Sequence, residues 1–173
     1  MRLFLDTNTQ QAISDYAGAI FEGEGFMRTG RSGASREDVI ALQRIFLVAT
    51  RAHWEFVVSG NSFLEAAASP DPWHLLYAHE VAAHWHDCVL LGPAEFDGSG
   101  SERVRALDAG RCGYLSVGDA ALIRDALLQE CDTFLTIERR LATNAEHLRK
   151  MLDLEVLRPP QLWAYLQPHL AGL

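Results

Sequence analysis

Residues 117–138 read VGDAALIRDALLQECDTFLTIE, and this stretch decides the fold. Residues 117–130 have the pattern of a helix. Ser116 and Asp119 stand at capping-box spacing where it begins. The apolar run from Thr133 to Thr136 reads as a strand, and a carboxylate, Glu138, follows it. A helix thus feeds a short buried strand that ends on an acid.

The same unit recurs outward from there. Arg2 to Leu5 is an apolar run that stops at Asp6-Thr7-Asn8. Glu55 to Ser59 contains FVV, Gly60 punctuates it, and Ser62 with Glu65 has the spacing of a capping box opening a short helix. Val89 to Leu91 and Glu155 to Leu157 read as further strands. Between them, helices are expected over about 9–21, from Ser35 onward with Val39, Leu42, Ile45, Phe46 and Ala49 at helical spacing, over 73–86, and up to about Ala109. Two more are expected from about Ile137 and from Pro159-Pro160. Strands alternating with helices predict an α/β fold, one domain over 1–173, with a mainly parallel central sheet flanked by helices. A glycine-rich loop at about 22–34 is the longest irregular stretch.

In parallel sheets, sites collect outside the carboxyl ends of the strands. Asp6, Glu65, Asp119 and Glu138 all stand at such positions. Each also has a purely structural reading. Asp6 suits an Asx turn, Glu65 and Asp119 suit capping boxes with Ser62 and Ser116, and Glu138 suits a helix first turn. One shared cause accounts for all four together. Carboxylates crowded in one pocket raise each other's pKa unless cations hold them. Oxygen ligands suit Mg²⁺ or Mn²⁺, and such ions activate water against a phosphodiester.

Composition agrees with a globular protein: 49% of residues are hydrophobic and 22% charged. The net charge of −8, from 23 acids against 15 bases, argues against nucleic-acid binding through a broad basic face. It does not argue against a site built from carboxylates and metal. No apolar run approaches the ~18 residues of a spanning helix. Asp6 interrupts the first apolar run too early for a signal-peptide core. Cys88, Cys112 and Cys131 are too scattered for a disulfide framework, and Cys112 and Cys131 are expected as small buried or half-buried residues. A cytoplasmic protein is the expectation.

LFLDTN, VVSGNSFLEAA and GDAALIRDALLQECDTFLTIERRL, in that order, resemble the acidic motifs of the PIN-domain family, the fold of the VapC-type toxin ribonucleases. The resemblance covers roughly residues 2–20, 54–68 and 115–158. It implies Asp6, Glu65 and Asp119 as metal ligands, with Glu138 completing the site where the family usually has aspartate. Thr136 matches the hydroxyl before the fourth acid, and Asn8 matches a polar residue of the first motif that orients water or metal from behind the ligands. The resemblance implies a Mg²⁺- or Mn²⁺-dependent endoribonuclease, with RNA as substrate, an antitoxin protein as partner if it is a toxin, and a homodimer. The alternative is a catalytically weak or inactive relative that binds RNA or protein as a regulator.

Arg139 and Arg140 follow Glu138 directly. Two uses stand open for them: reaching substrate phosphates, or pairing with nearby acids. The histidine-rich segment at 74–86 invites a zinc reading, but His79 and His84 are five apart, about 140° around a helix, where the metalloprotease motif needs a spacing of four. A haloacid-dehalogenase-like phosphatase would need an aspartate where Asn8 stands and a lysine before its last acids. The single lysine, Lys150, comes after Glu138.

Overall fold

The computed structural model describes residues 1–27, 32–52, 54–68, 90–91 and 102–170. Among these, five strands form one sheet: β1 (Arg2–Leu5), β2 (Glu55–Ser59), β3 (Leu90–Leu91), β4 (Thr133–Leu135) and β5 (Glu155–Leu157). The order is β3-β2-β1-β4-β5 and every pairing is parallel. The expected α/β class and parallel sheet are therefore present.

β1 is central, and its apolar run follows from that place. Successive side chains of a strand point to opposite faces. Phe4 lies in one core with Val57, Phe134 and Val156, while Leu3 and Leu5 lie in the other with Val58 and Leu135. A strand covered on both faces needs apolar residues throughout, and full burial of side chains this size is worth about 1.5–3 kcal/mol each. Phe4 pairs in register with Phe134, and their rings stack at 5.2 Å.

Helices cover both faces. On the Phe4 side are α5 (Glu102–Ala106), α6 (Val117–Leu128), α7 (Arg139–Thr143) and α8 (Ala145–Leu152), through Val104, Leu122, Ile123, Leu141 and Leu148 among others. On the Leu3 side are α1 (Thr7–Asp15), α2 (Ala17–Phe21), α3 (Arg36–Ala52) and α9 (Pro159–Leu166), through Ile13, Ile20, Leu42, Ile45 and Leu162. The remaining described α-helix, α4 (Gly60–Ala68), follows β2. Ser35 and Asp38 cap α3 reciprocally, and Arg158 ties Asp38 to the start of α9 with two contacts of 2.8 Å.

Several expectations need correction. The helix over 9–21 is two helices, broken at Tyr16, whose φ of −120° and ψ of 26° leave the helical region. The capping box at Ser62 and Glu65 does not form. The helix already begins at Gly60, Ser62 donates its backbone N–H to the Ser59 hydroxyl at 3.4 Å, and Glu65 bonds elsewhere. The helix over 117–130 ends at Leu128, because Glu130 adopts a left-handed φ of 53° in the turn into β4. Past Ala106 the chain makes a π-helical turn, Leu107–Arg111, with Gly110 at φ 72°. Glu138 is the N-cap of α7 and lies just outside its first turn.

The described parts of the glycine-rich loop pack onto the body: Phe26 stacks on Tyr16 at 5.2 Å, and the Ser32 N–H donates to Asp15. The helix expected over 73–86 lies outside the described residues, as do its histidines and Cys88. Cys112 and Cys131 are buried free thiols, and burial pushes the Cys131 thiol up to about 12. Among the described residues, no helix is long and apolar enough to cross a membrane.

The topology fixes where a ligand can enter. From β1 the chain passes to β2 on one side, and it later returns to β4 on the other side and moves on to β5. Connections leaving neighbouring strands in opposite directions open a crevice at their carboxyl ends. That crevice lies between β1 and β4.

Candidate functional site

Asp6 and Thr136 flank this crevice, at the carboxyl ends of β1 and β4. Asp6 caps α1: one carboxylate oxygen accepts the Thr9 N–H at 2.6 Å, which is the Asx geometry expected of it. The other accepts the Thr136 hydroxyl. Thr136 Oγ1 also accepts the backbone N–H of Glu138 at 2.9 Å. Asp6 is 4% exposed. Burial pushes its carboxyl up from 3.8 to about 6; the bonds from Thr136 and Thr9 oppose the rise, and the charge of Glu138 adds to it.

Glu65 projects from α4 to the same place. Its Oε2 accepts the Thr7 hydroxyl at 2.5 Å, one residue beyond Asp6. Its Oε1 lies 3.1 Å from where a Cβ would stand on Gly118, one residue before Asp119. A side chain at 118 would crowd that carboxylate.

Asp119 occupies the third position of α6 and forms the capping box with Ser116. Its Oδ2 accepts the Ser116 hydroxyl at 2.7 Å and the Arg140 Nη2 at 2.6 Å. Arg140 Nε donates to Glu138 Oε1 at 3.1 Å. The Arg140 pKa is raised, first by its hydrogen bond with Glu138 and then by the charge of Asp119.

These contacts close a ring. Asp6 meets Thr136, which holds Glu138; Glu138 shares Arg140 with Asp119; Asp119 adjoins Gly118, against which Glu65 rests; and Glu65 binds Thr7, the neighbour of Asp6. The four predicted acids are thus linked through intermediaries near the switch point. Thr7, Thr136 and Arg140 stand between them, and among the described residues no three His, Cys, Asp or Glu side chains converge as a metal-binding group.

The donor set, carboxylate oxygens held by hydroxyls, is of the type that hard divalent cations take, and two of the carboxylate oxygens are engaged by a guanidinium. Of the two uses open to Arg140, pairing with acids is the one observed. Arg139 is exposed on the first turn of α7, and Asn8 is exposed on the first turn of α1.

Two residues of the ring, Thr7 and Gly118, and one beside it, Thr9, were not singled out from the sequence. Thr7 and Thr9 carry a weak signal, as hydroxyls flanking an N-cap aspartate. Gly118 carries none, because only the packing of α4 against α6 gives its missing side chain a purpose. No family model, no curated protein and no solved structure matches this chain. The resemblance to the PIN-domain family therefore rests on the motifs quoted above.

Proposed function

We propose that the chain is a divalent-metal-dependent nuclease that hydrolyses RNA phosphodiester bonds, with Asp6, Glu65, Asp119 and Glu138 holding Mg²⁺ or Mn²⁺. One observation supports this reading: the closed ring of contacts that links the four carboxylates through Thr7, Thr136, Arg140 and Gly118 beside the crevice between β1 and β4. RNA as the substrate, an antitoxin partner, a homodimer and a cytoplasmic setting come from the family resemblance alone.

Each residue then has a task. Asp6, fixed on both oxygens by Thr9 and Thr136, presents a rigid carboxylate that cannot turn away. Asp119 is oriented by Ser116, and Glu65 by Thr7. Glu138, longer than aspartate, reaches in from the N-cap of α7. Arg139, exposed beside it, would meet a substrate phosphate. A divalent ion held here supplies a Lewis acid that activates water and offsets charge on the phosphoryl oxygens.

A second reading is supported by Arg140. A guanidinium spanning Asp119 and Glu138 is what a binding protein without catalysis would keep permanently in place. Calorimetric titration with Mn²⁺, paired with cleavage of labelled single-stranded RNA, separates the two. Saturable Mn²⁺ binding and cleavage, both lost in Asp119→Asn, support the nuclease. Absence of Mn²⁺ binding at millimolar concentration supports the binding protein.

A further inference from the structure

Arg140 occupies two of the oxygens that the proposed ion needs. Its Nη2 is 2.6 Å from Asp119 Oδ2 and its Nε is 3.1 Å from Glu138 Oε1. A positive charge between two carboxylates relieves their mutual repulsion, as a metal would. A guanidinium and a divalent cation repel each other, so both cannot sit between the same pair. One must yield.

The structure indicates which. The Arg140 side chain is 58% exposed, whereas that of Asp119 is 12% exposed and locked in its capping box. The arginine is long and has solvent to turn into. Arg140 reaches both acids through its guanidinium alone, from the first turn of α7, so the side chain can leave while the backbone stays.

We infer that Arg140 is an internal counter-cation that closes the site between Asp119 and Glu138 and is exchanged for the divalent ion on metal entry. The inference rests on the metal reading above. Its consequence is regulatory: the ion pair sets the metal concentration at which the site fills, since binding must first break two charge-assisted bonds. The released guanidinium then lies at the rim of the site beside Arg139, available to a substrate phosphate.

The test uses the full chain, Arg140→Gln, Arg140→Lys and a charge-matched control, Arg149→Gln. Arg149 pairs with Glu155 at 3.7 Å, at the opposite end of the sheet. Calorimetry with Mn²⁺ alone is the readout, beside melting in metal-free buffer. The expected result is Mn²⁺ binding at least about threefold tighter in Arg140→Gln, from release of a competing ion pair. Arg149→Gln should bind like the parent, and Arg140→Lys should return toward it. Metal-free Arg140→Gln should melt lower, because the acids then face each other without compensation. Equal or weaker Mn²⁺ binding in Arg140→Gln overturns the inference, as does equal tightening in Arg149→Gln. If the parent binds Mn²⁺ as tightly as Arg140→Gln, only the exchange fails. If neither binds, the metal reading itself fails, and the exchange with it.

Discussion

The Thr136 hydroxyl donates to Oδ2 of Asp6 across 130 residues of chain, at the seam where β4 lies beside β1. The Thr136 hydroxyl oxygen in turn accepts the Glu138 N–H, and Thr136 is fully buried. One side chain therefore ties the Asp6 carboxylate to the Glu138 backbone and joins the first motif to the last.

Thr136→Val keeps the shape and removes the hydroxyl. It leaves a buried carboxylate oxygen and the Glu138 N–H without their partner, which costs about 2 kcal/mol. The variant should melt lower than the parent at neutral pH. The loss should shrink toward pH 4, where Asp6 is protonated. An unchanged melting temperature at neutral pH would show that water replaces the hydroxyl without loss.

Asp6 gives a pH dependence of known sign. Its folded pKa of about 6 lies above the ordinary 3.8, so the fold prefers the protonated form. At pH values below 3.8 both states hold the proton and the charge costs nothing. Between 3.8 and 6 the unfolded chain gives up the proton first and stability falls; above 6 the loss persists, at about 3 kcal/mol. Asp6→Asn removes this penalty while keeping a capping side chain. In metal-free buffer it should melt higher than the parent at neutral pH and like the parent in acid. Added Mn²⁺ should stabilise the parent and leave Asp6→Asn unmoved.

Why some of this was legible in the sequence and some was not follows from what each residue answers to. The strands were legible because a central parallel strand is apolar on both sides, so LFL, FVV and TFL stand out as runs that stop on polar residues. The break at Tyr16 was not, because Ala12, Ile13, Tyr16 and Ile20 keep helical spacing through it and all are buried in one core. Ser62 and Glu65 satisfy a local pattern, yet Thr7, 58 residues away, takes Glu65 instead. Local spacing cannot show a partner chosen through space. For the same reason, local spacing could not give the pairing of Arg140, whose partner Asp119 on α6 is 21 residues away.

Gly118→Ala should move stability and metal binding in opposite directions. Alanine in a helix restricts the unfolded chain, a gain of roughly 0.5–1 kcal/mol. The new methyl would meet Glu65 Oε1 at 3.1 Å and its Cδ at 3.9 Å, and the flexible carboxylate has to shift by a few tenths of an ångström. Displaced ligands weaken metal sites by about tenfold or more. The expected outcome is a slightly higher melting temperature with weaker Mn²⁺ binding by calorimetry. Unchanged binding would show that Glu65 is not held against α6 for the sake of the ion.

The buried pair between α3 and α9 should behave differently from the ion pairs of the site. The Asp38 side chain is 2% exposed and that of Arg158 is 23% exposed. Arg158→Met strands a buried carboxylate whose remaining partner side chain is Ser35, at a cost of about 3–5 kcal/mol. Asp38→Asn added to it should recover much of that, since the pair as a whole has already lost hydration. Denaturant titration of the two variants reads the difference. Equal loss in both would mean that the packing of Arg158, and not its charge, holds α9.

Metal removal should abolish RNA binding along with cleavage. The chain carries a net charge of −8, and the crevice concentrates carboxylates, so a phosphate backbone is repelled until divalent ions fill the site. Recognition then runs through the ions and one or two arginines at the rim. Few phosphates are neutralised, and the slope of log K against log salt should be shallow, about −1 to −2. Anisotropy of a labelled single-stranded RNA, read on ice in Mn²⁺ and again in chelator, measures both quantities. Binding in Mn²⁺ that vanishes in chelator fits a site where the ion is part of the binding surface. Tight binding in chelator with a steep salt slope would place recognition on a basic surface away from these four acids.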